Sequence, residues 1–314
     1  MHRSGTSALT GALGALGFNT PHPGERMDWP ESNSEHWESV SLTVYNDHLL
    51  TKLGGNWEAP PDFPLEWDGD DVVSELGSPL PILNAAFPEP GPRVWKDPRL
   101  CLLLPFWKNI LPSPLAAVLV WRSPLSVARS LQKRDGMHLA DGIALWERYN
   151  RAALQNLVGL NTFVCSYDAV VSDPTTAMNT MADWLSALPQ MSHMADHWHR
   201  EQSAESIVQV NSTQEQVAGS ELLLAQQHDL FLRLSLLEGG HLPLEDSSLA
   251  GESDWTTALL AARSGSRTRE FQIELQNKQV ELDRLRSSTS WRATKPLRSM
   301  ISTLHSVRSK FAKP

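Results

Sequence analysis

The pattern of hydrophobic and polar residues predicts strands that alternate with helices over the first two thirds of the chain. Residues 115–121 and 162–167 are largely apolar runs of strand length, and helical periodicity follows each of them. Continuous apolar runs are typical of strands that are buried on both faces of a parallel sheet. We therefore predict an α/β fold, a three-layer α/β/α arrangement around a mostly parallel sheet, with a C-terminal helical and coiled-coil extension.

Weaker periodicities complete the predicted domain. Leu9, Leu13 and Leu16 form an apolar stripe that predicts a helix near the N-terminus. The other predicted elements are a helix over 31–53 with apolar periodicity through Trp37, Val40, Val44 and Leu49, a short helix over 72–76, a brief strand over 93–96, and helices that begin at Pro124, near Asp141 and after Pro174.

The character of the sequence changes near residue 204, where glutamine, serine and glutamate become frequent. We predict an α/β domain over 1–203, a helical linker over 204–266, and a short coiled coil with a basic tail over 267–314. The heptad positions of the coiled coil are Phe271, Leu275, Leu282 and Leu285. The basic amphipathic tail can lie on an anionic membrane surface, support self-association, or pack on its own domain, and the sequence leaves these alternatives open.

Composition narrows the functional class. A net charge of −9 argues against broad binding to nucleic acid, so any anion site must be local. Cys101 and Cys165 lie in apolar stretches, which predicts buried free thiols in a reducing compartment. No apolar run approaches the roughly 20 residues that span a bilayer, and the N-terminus lacks a signal-peptide pattern. We expect a cytoplasmic protein that is at most peripheral to the inner face of the membrane.

The first residues of the chain are suited to binding an anion. A turn of small residues directs backbone N–H groups outward, and the N-terminus of the helix that follows adds a positive partial charge. A guanidinium and several hydroxyls reinforce this site, which we call the Arg3–Ser7 loop and which consists of Arg3, Ser4, Gly5, Thr6 and Ser7. It lacks the leading glycine and the lysine of a Walker A loop, which weakens the hypothesis that it binds a nucleoside triphosphate. A capped surface helix is the alternative explanation.

A second anion site is predicted after the apolar run that ends at Trp121. Arg122 leaves this strand, and Ser130 lies eight residues further on, on the next helix. The two side chains can converge on one phosphate, with the arginine binding two of its oxygens.

Together these segments resemble sulfotransferases that use 3′-phosphoadenosine 5′-phosphosulfate (PAPS), a family with a P-loop-like fold. The resemblance covers residues 1–190 and includes Lys96-Asp97-Pro98-Arg99, which is similar to a segment of bacterial members. It implies that the Arg3–Ser7 loop binds the 5′-phosphosulfate, with Arg3 in the place of a lysine common in animal members. It also implies that Arg122 and Ser130 hold the 3′-phosphate, and that Lys96 and Arg3 stabilise charge on the leaving oxygen.

The transfer also needs a base near the acceptor oxygen. By resemblance to bacterial members Glu38 is the first choice, with His36 and Asp97 as rivals. The alternative for Glu38 is a solvated helix face shared with Glu31 and Glu35. No metal is required by the chemistry, and His193, His197 and His199 are expected to be surface histidines.

One departure from the family pattern concerns the sheet. Members of the family have an apolar strand that leads into the phosphate loop, whereas this sequence starts at Met1 inside the loop. Either the start lies upstream or this form is truncated, and the sheet is expected to lack a central strand.

The expected reaction is transfer of a sulfonate from PAPS to a hydroxyl or amine. The expected acceptor is a carbohydrate of a cell-surface glycan or a small molecule. The alternatives are a P-loop kinase of a small metabolite, and a non-catalytic nucleotide-binding scaffold for glycan assembly.

Overall fold

Two parallel strands lie at the centre of the fold. The computed structural model describes residues 1–27, 37–62, 76–111, 114–192, 197–207, 220–245 and 251–264. The strands are β1 (Ala116–Trp121), β2 (Asn161–Ser166) and β3 (Gly239–His241). The helices are α1 (Thr6–Leu16), α2 (Val40–Lys52), α3 (Leu80–Ala86), α4 (Leu100–Ile110), α5 (Pro124–Asp135), α6 (Leu139–Leu157), α7 (Tyr167–Ser172), α8 (Pro174–Ala187), α9 (Arg200–Glu205) and α10 (Ala225–Leu236).

The described strands form one mixed sheet in the order β1-β2-β3. β1 pairs with β2 in parallel, from Ala116 opposite Asn161 to Trp121 opposite Ser166. The short β3 pairs antiparallel to the other edge of β2, with Phe163 opposite Gly240. The α/β class and the two predicted strands are confirmed to within a residue. The antiparallel β3 makes the described sheet mixed, whereas a mostly parallel sheet was expected.

Both faces of β1 and β2 are buried under apolar side chains, as the continuous apolar runs predict. Leu119 and Trp121 face one apolar cluster, which includes side chains of α2, α4 and α6. Val120, Phe163 and Cys165 face a second cluster, which includes side chains of α1 and α8. Successive residues of a strand point to opposite faces, so helices cover the sheet on both sides.

In the described part of the helix predicted over 31–53, the helical residues begin only at Val40, and a different face is presented to the core. α2 begins at Val40 because the hydroxyl of Ser39 accepts a hydrogen bond from the backbone N–H of Leu42, at 3.4 Å. Val40 and Val44, predicted on the inner face, are 42% and 48% exposed. The buried face of α2 consists of Leu42, Thr43, Tyr45, Asn46, Leu49 and Leu50.

Two other short predicted elements have different outcomes. Residues 93–96 form a single parallel bridge, between Arg93 and Asn19, in place of a strand. Residues 72–75 of the helix predicted over 72–76 lie outside the described residues, as does the predicted coiled coil.

The chain beyond residue 203 contributes to the same compact unit, which extends from Met1 to Ala261. Leu230 and Leu234 of α10 are fully buried in the cluster that contains Trp146 and Leu145. The compact unit therefore extends beyond the predicted boundary at residue 203, because α10 packs in the apolar core and β3 pairs with β2. The Gln- and Ser-rich composition of this region conceals the few leucines that make these contacts.

Cys101 and Cys165 are both free thiols. Cys165 is buried as predicted, and burial raises the pKa of its thiol to about 12, whereas Cys101 is only half-buried. Among the described helices none is both long and apolar enough to cross a bilayer.

A buried carboxylate attaches the region beyond residue 220 to α6. Glu147 is inaccessible to solvent and accepts hydrogen bonds from Arg151, Gln227, Thr256 and Ser253, the last through both its backbone N–H and its hydroxyl. Burial raises the pKa of Glu147, but these donors outweigh it and hold the pKa below the ordinary value of 4.5. The ionised carboxylate therefore stabilises the folded state.

We predict that Glu147→Gln lowers the free energy of unfolding by about 3 kcal/mol at pH 7, because the buried Arg151 loses its charged partner and an amide NH2 group replaces one of the two acceptor oxygens. Since the folded pKa lies below 4.5, this stabilisation is complete above that pH and is lost as the pH falls further. Urea unfolding at pH 7 and pH 3.5 measures both effects. The exposed Glu221→Gln is the control, and an equal loss in the two variants would contradict the prediction.

Candidate functional site

The backbone of the Arg3–Ser7 loop is folded around Ser4. Arg3 and Gly5 both have left-handed backbone conformations, with φ of 62° and 85°. Gly5 is also the N-cap of α1, and no side chain caps the first turn of this helix. The N–H groups of that turn lack intrahelical acceptors, and successive N–H groups in such a turn form a concavity that binds anions.

Tyr167 fixes the conformation of this loop from the opposite side. A Cβ atom added at Gly5 would lie 1.9 Å from Cδ2 of the Tyr167 ring. Tyr167 begins α7 directly after β2, so the end of this strand supports the loop. Two constraints therefore require glycine at position 5: the positive φ, and the close contact that leaves no room for a Cβ atom. Sequence reasoning assigned Tyr167 to the strand and missed this role.

The structure brings the second predicted anion site to the same loop. Arg3 Nε donates a hydrogen bond to Ser130 Oγ at 2.8 Å, across 127 residues of sequence. The Arg122 guanidinium lies 4.8 Å from the centre of the Tyr167 ring, the ring that also contacts Gly5. Ser130 therefore contacts the loop through Arg3, and Arg122 lies near the loop through the Tyr167 ring.

Positive charge accumulates here although the chain as a whole is acidic. Burial is the largest cause that lowers the pKa of Arg3; Arg134 and Arg122 lower it further, and the carboxylate of Asp135 opposes them. The guanidiniums of Arg3, Arg122 and Arg134 thus lie near one another, and an anion bound at the loop would interact favourably with them.

Lys96 connects the loop to the predicted base. Its ammonium donates a hydrogen bond to Ser7 Oγ at 3.0 Å and forms an ion pair with the Glu38 carboxylate. The Lys96 side chain is 8% exposed and the Glu38 side chain 12%. Burial lowers the pKa of Lys96, and the Glu38 carboxylate opposes this shift. The structure thus places the predicted catalytic lysine and base in direct contact.

Glu38 lies in the segment before α2, which differs from the solvated helix face considered as its alternative. Its backbone carbonyl accepts a hydrogen bond from Met27 N–H at 2.9 Å. The preceding residue, Trp37, is covered by the guanidinium of Arg26, 4.2 Å from its ring centre. These contacts direct Glu38 toward Lys96 at the N-terminal end of α2. The rival His36 lies outside the described residues.

Asp97, the other rival base, is held in a buried polar network. It accepts hydrogen bonds from Asn46 Nδ2 at 2.9 Å and from the Arg99 guanidinium at 3.1 Å. Arg99 also binds both oxygens of Asp47, at 2.6 and 3.1 Å. Although burial lowers it, the carboxylates of Asp97 and Asp47 raise the pKa of Arg99 above its ordinary value. Asp97 and Arg99 therefore position the segment that carries Lys96.

The buried polar atoms at the site that have no hydrogen-bond partner within the described part of the chain include the Ser4 hydroxyl, which is fully buried, and Nε of Arg122. Buried polar atoms are normally paired, because an unpaired one costs about 1–3 kcal/mol. A hydroxyl and a guanidinium nitrogen at one loop both fit the oxygens of a phosphate or sulfonate.

The described residues include no cluster of histidine, cysteine and acidic side chains that could hold a metal ion. His197 and His199 are exposed on either side of the buried Trp198, as expected of surface histidines. His193 lies outside the described residues.

We predict that Gly5→Ala destabilises the protein by about 3 kcal/mol, because the new methyl group meets Tyr167 and the positive φ disfavours alanine. In a Tyr167→Ala background the same substitution should cost only about 1 kcal/mol, the conformational part alone. Chemical denaturation of the four proteins of this double-mutant cycle measures the coupling. Equal costs of Gly5→Ala in both backgrounds would contradict the contact.

Comparison of the chain with protein-family models, with curated proteins and with solved structures finds no match.

Proposed function

We propose that this protein is a PAPS-dependent sulfotransferase with a P-loop-like, three-layer α/β/α core. The observation that carries the proposal is the convergence on one loop of two left-handed residues, an uncapped helix N-terminus and the buried Lys96–Glu38 pair. A loop of this kind binds an anion, and the pair supplies a cation and a base within the same site.

The contacts at the loop support separate roles for its two sides. On one side Ser7 and Lys96 can bind the phosphosulfate end of the donor. On the other side Arg122 and Ser130 can bind its 3′-phosphate, the group that distinguishes this donor from ATP. Arg3, a residue of the loop, donates a hydrogen bond to Ser130 and so connects the loop to this second group. The unpaired Ser4 hydroxyl and Arg122 Nε fit this assignment, because both are donors that lack an acceptor.

The proposed reaction is an in-line displacement at sulfur. The acceptor oxygen forms a bond to sulfur, and the bond from sulfur to the bridging oxygen breaks. That oxygen leaves with the electron pair on 3′-phosphoadenosine 5′-phosphate, and the hydroxyl proton passes to a carboxylate oxygen of Glu38. An ammonium has three N–H donors, of which Lys96 directs one to Ser7 and one to Glu38. The third can stabilise charge on the leaving oxygen.

The acceptor class remains a hydroxyl or amine of a carbohydrate or small molecule, as the resemblance implies. A kinase of a small metabolite is the alternative enzyme. It would need the loop lysine that binds the β- and γ-phosphates of ATP, and the Arg3–Ser7 loop has none.

We predict that the protein binds 3′-phosphoadenosine 5′-phosphate in preference to ATP, and that Arg122→Ala weakens this binding by about 30-fold. The loss corresponds to about 2 kcal/mol, the value of a charge-assisted hydrogen bond to a phosphate. Isothermal titration calorimetry with each nucleotide measures both affinities.

The matched control for this titration is Lys108→Ala, an exposed cation in the last turn of α4. It should leave the affinity within about twofold, since an exposed charge outside the site is screened by salt. Tighter binding of ATP, or equal effects of the two substitutions, would overturn the assignment of Arg122.

We predict that Glu38→Gln lowers the rate of sulfonate transfer by about 10²–10⁴-fold, because the amide cannot accept the proton. The affinity for 3′-phosphoadenosine 5′-phosphate should change far less. Single-turnover release of this product from PAPS, with a panel of simple sugars and phenols as acceptors, measures the rate.

The control for the base is Glu89→Gln, which removes an exposed carboxylate outside the site and should retain the full rate. Unchanged transfer by Glu38→Gln would exclude Glu38 as the base. A loss of nucleotide binding equal to the loss of rate would instead assign Glu38 to holding Lys96.

A further inference from the structure

A half-buried arginine beside the predicted base has neutral hydrogen-bond acceptors and no acidic partner among the described residues. Arg26 Nε donates a hydrogen bond to the carbonyl of Pro21 at 2.9 Å, and Nη2 donates one to Thr20 Oγ1 at 3.0 Å. A guanidinium has five N–H donors, so three remain without a partner in the described part of the chain. A partly buried charge is normally compensated by an opposite one, and within these residues this charge is not.

The Arg26 guanidinium is held in one orientation by an aromatic ring. It covers the indole of Trp37, with its central carbon 4.2 Å from the ring centre. The indole packs in turn against α1, where a Cβ atom added at Gly11 would lie 3.1 Å from Nε1. An arginine that is fixed by stacking loses less freedom on binding a ligand than an arginine in solvent, and its planar fork of donors fits a carboxylate or a sulfate. Arg26 is therefore preorganised for an anion.

Two backbone contacts join Arg26 to the predicted base. Arg26 forms an antiparallel bridge with Ser39, and the N–H of Met27 donates a hydrogen bond to the carbonyl of Glu38 at 2.9 Å. Glu38 also directly follows Trp37, the residue that the guanidinium covers. The paired segments 26–27 and 37–39 therefore hold the arginine and the base as neighbours.

Helix α1 gives the spacing between the stacked guanidinium and the Lys96–Glu38 pair. Trp37 lies against Gly11, and the Lys96 ammonium binds Ser7. Gly11 follows Ser7 by four residues, so both lie on one face of the helix, one turn or about 5.4 Å apart. An anionic group at the guanidinium and a hydroxyl at the base therefore fit within the span of a mono- or disaccharide.

The nearby carboxylates have other partners. Glu25 Oε2 accepts hydrogen bonds from Ser39 Oγ at 3.3 Å and from the N–H of Ser41 at 3.4 Å, at the N-terminus of α2. The partial positive charge at this end of a helix stabilises a carboxylate. Glu38 forms an ion pair with Lys96. The positive charge of Arg26 is therefore available to an anionic group of a ligand.

We propose that Arg26 binds an anionic group of the acceptor, and that the acceptor is an acidic saccharide whose carboxylate or sulfate lies near the hydroxyl to be sulfonated. The role of this hydroxyl rests on the proposed sulfonate transfer, whereas the anion subsite rests on the contacts of Arg26. A neutral sugar leaves the guanidinium uncompensated, so the subsite favours acidic over neutral acceptors.

The test compares acceptors that differ in one group. Methyl glucuronide has a carboxylate where methyl glucoside has a hydroxymethyl group, and methyl glucoside 6-sulfate has a sulfate there. Initial rates of transfer from PAPS give kcat/KM for each. The wild-type protein should favour at least one acidic glycoside over the neutral one by about tenfold or more, the value of a charge-assisted hydrogen bond. The larger preference identifies which of the two anions the subsite binds better.

Arg26→Gln should remove this preference, with the loss confined to the acidic glycosides. An equal loss of kcat/KM for all three acceptors would indicate a structural role of Arg26 and overturn the proposal. The matched control is Arg93→Gln, because the exposed Arg93 also forms an isolated bridge, with Asn19, and covers the ring of Phe87 at 6.0 Å. This control should retain the preference, and an equal loss of preference in both variants would contradict the assignment.

Binding without transfer separates this inference from the proposed function. Saturation-transfer NMR with the same glycosides measures binding in the absence of PAPS. Stronger binding of an acidic glycoside that is lost in Arg26→Gln would support the subsite even if no acceptor is sulfonated, in which case the proposed transfer alone fails. Transfer without a preference for acidic glycosides, or acidic glycosides that bind no better than the neutral one, would overturn the subsite and leave the proposed transfer unaffected.

Discussion

The buried ammonium of Lys96 is the interaction on which the geometry of the site depends. A charge that is 92% removed from solvent requires partners, because an unpaired buried ion costs several kcal/mol. Its partners here are Ser7 at the start of α1 and Glu38 before α2, which lie far apart in sequence. Pairing with Lys96 therefore fixes the position of the Arg3–Ser7 loop relative to Glu38. Among the described residues, Glu38 is the only carboxylate that forms an ion pair with this ammonium.

A second layer of contacts keeps Lys96 in place. The segment that carries it is held by Asp97 and Arg99, which bind Asn46 and Asp47 of α2. Trp107 of α4 donates to Asn46 and extends this network into the apolar core. Each polar group in it has a partner, which is the condition under which a buried network stabilises one arrangement. The rigid part of the site is thus the Lys96 side, whereas the Arg122 side retains unpaired donors.

Sequence patterns predicted the elements that are governed by local rules and missed those that depend on distant contacts. β1, β2 and α1 were predictable because continuous apolar runs and a leucine stripe are local signals. The start of α2 depends on the Ser39 cap. The apolar periodicity, which includes Trp37, Val40 and Val44, instead predicted a helix that begins earlier. The extent of the domain depends on Glu147, whose donors lie up to 109 residues away, and no local pattern reports such pairing. Tyr167 could have been suspected only from its place at the end of a strand, where parallel sheets bind ligands.

The Lys96 ammonium is shared between the loop and the predicted base. It binds Ser7 at the start of α1 and Glu38 before α2, so its position constrains both segments at once. An anion at the loop that binds this ammonium would therefore act on the Lys96–Glu38 pair as well. Coupling of this kind is reciprocal, so a change at Glu38 that alters the position of Lys96 would also change the affinity for the anion.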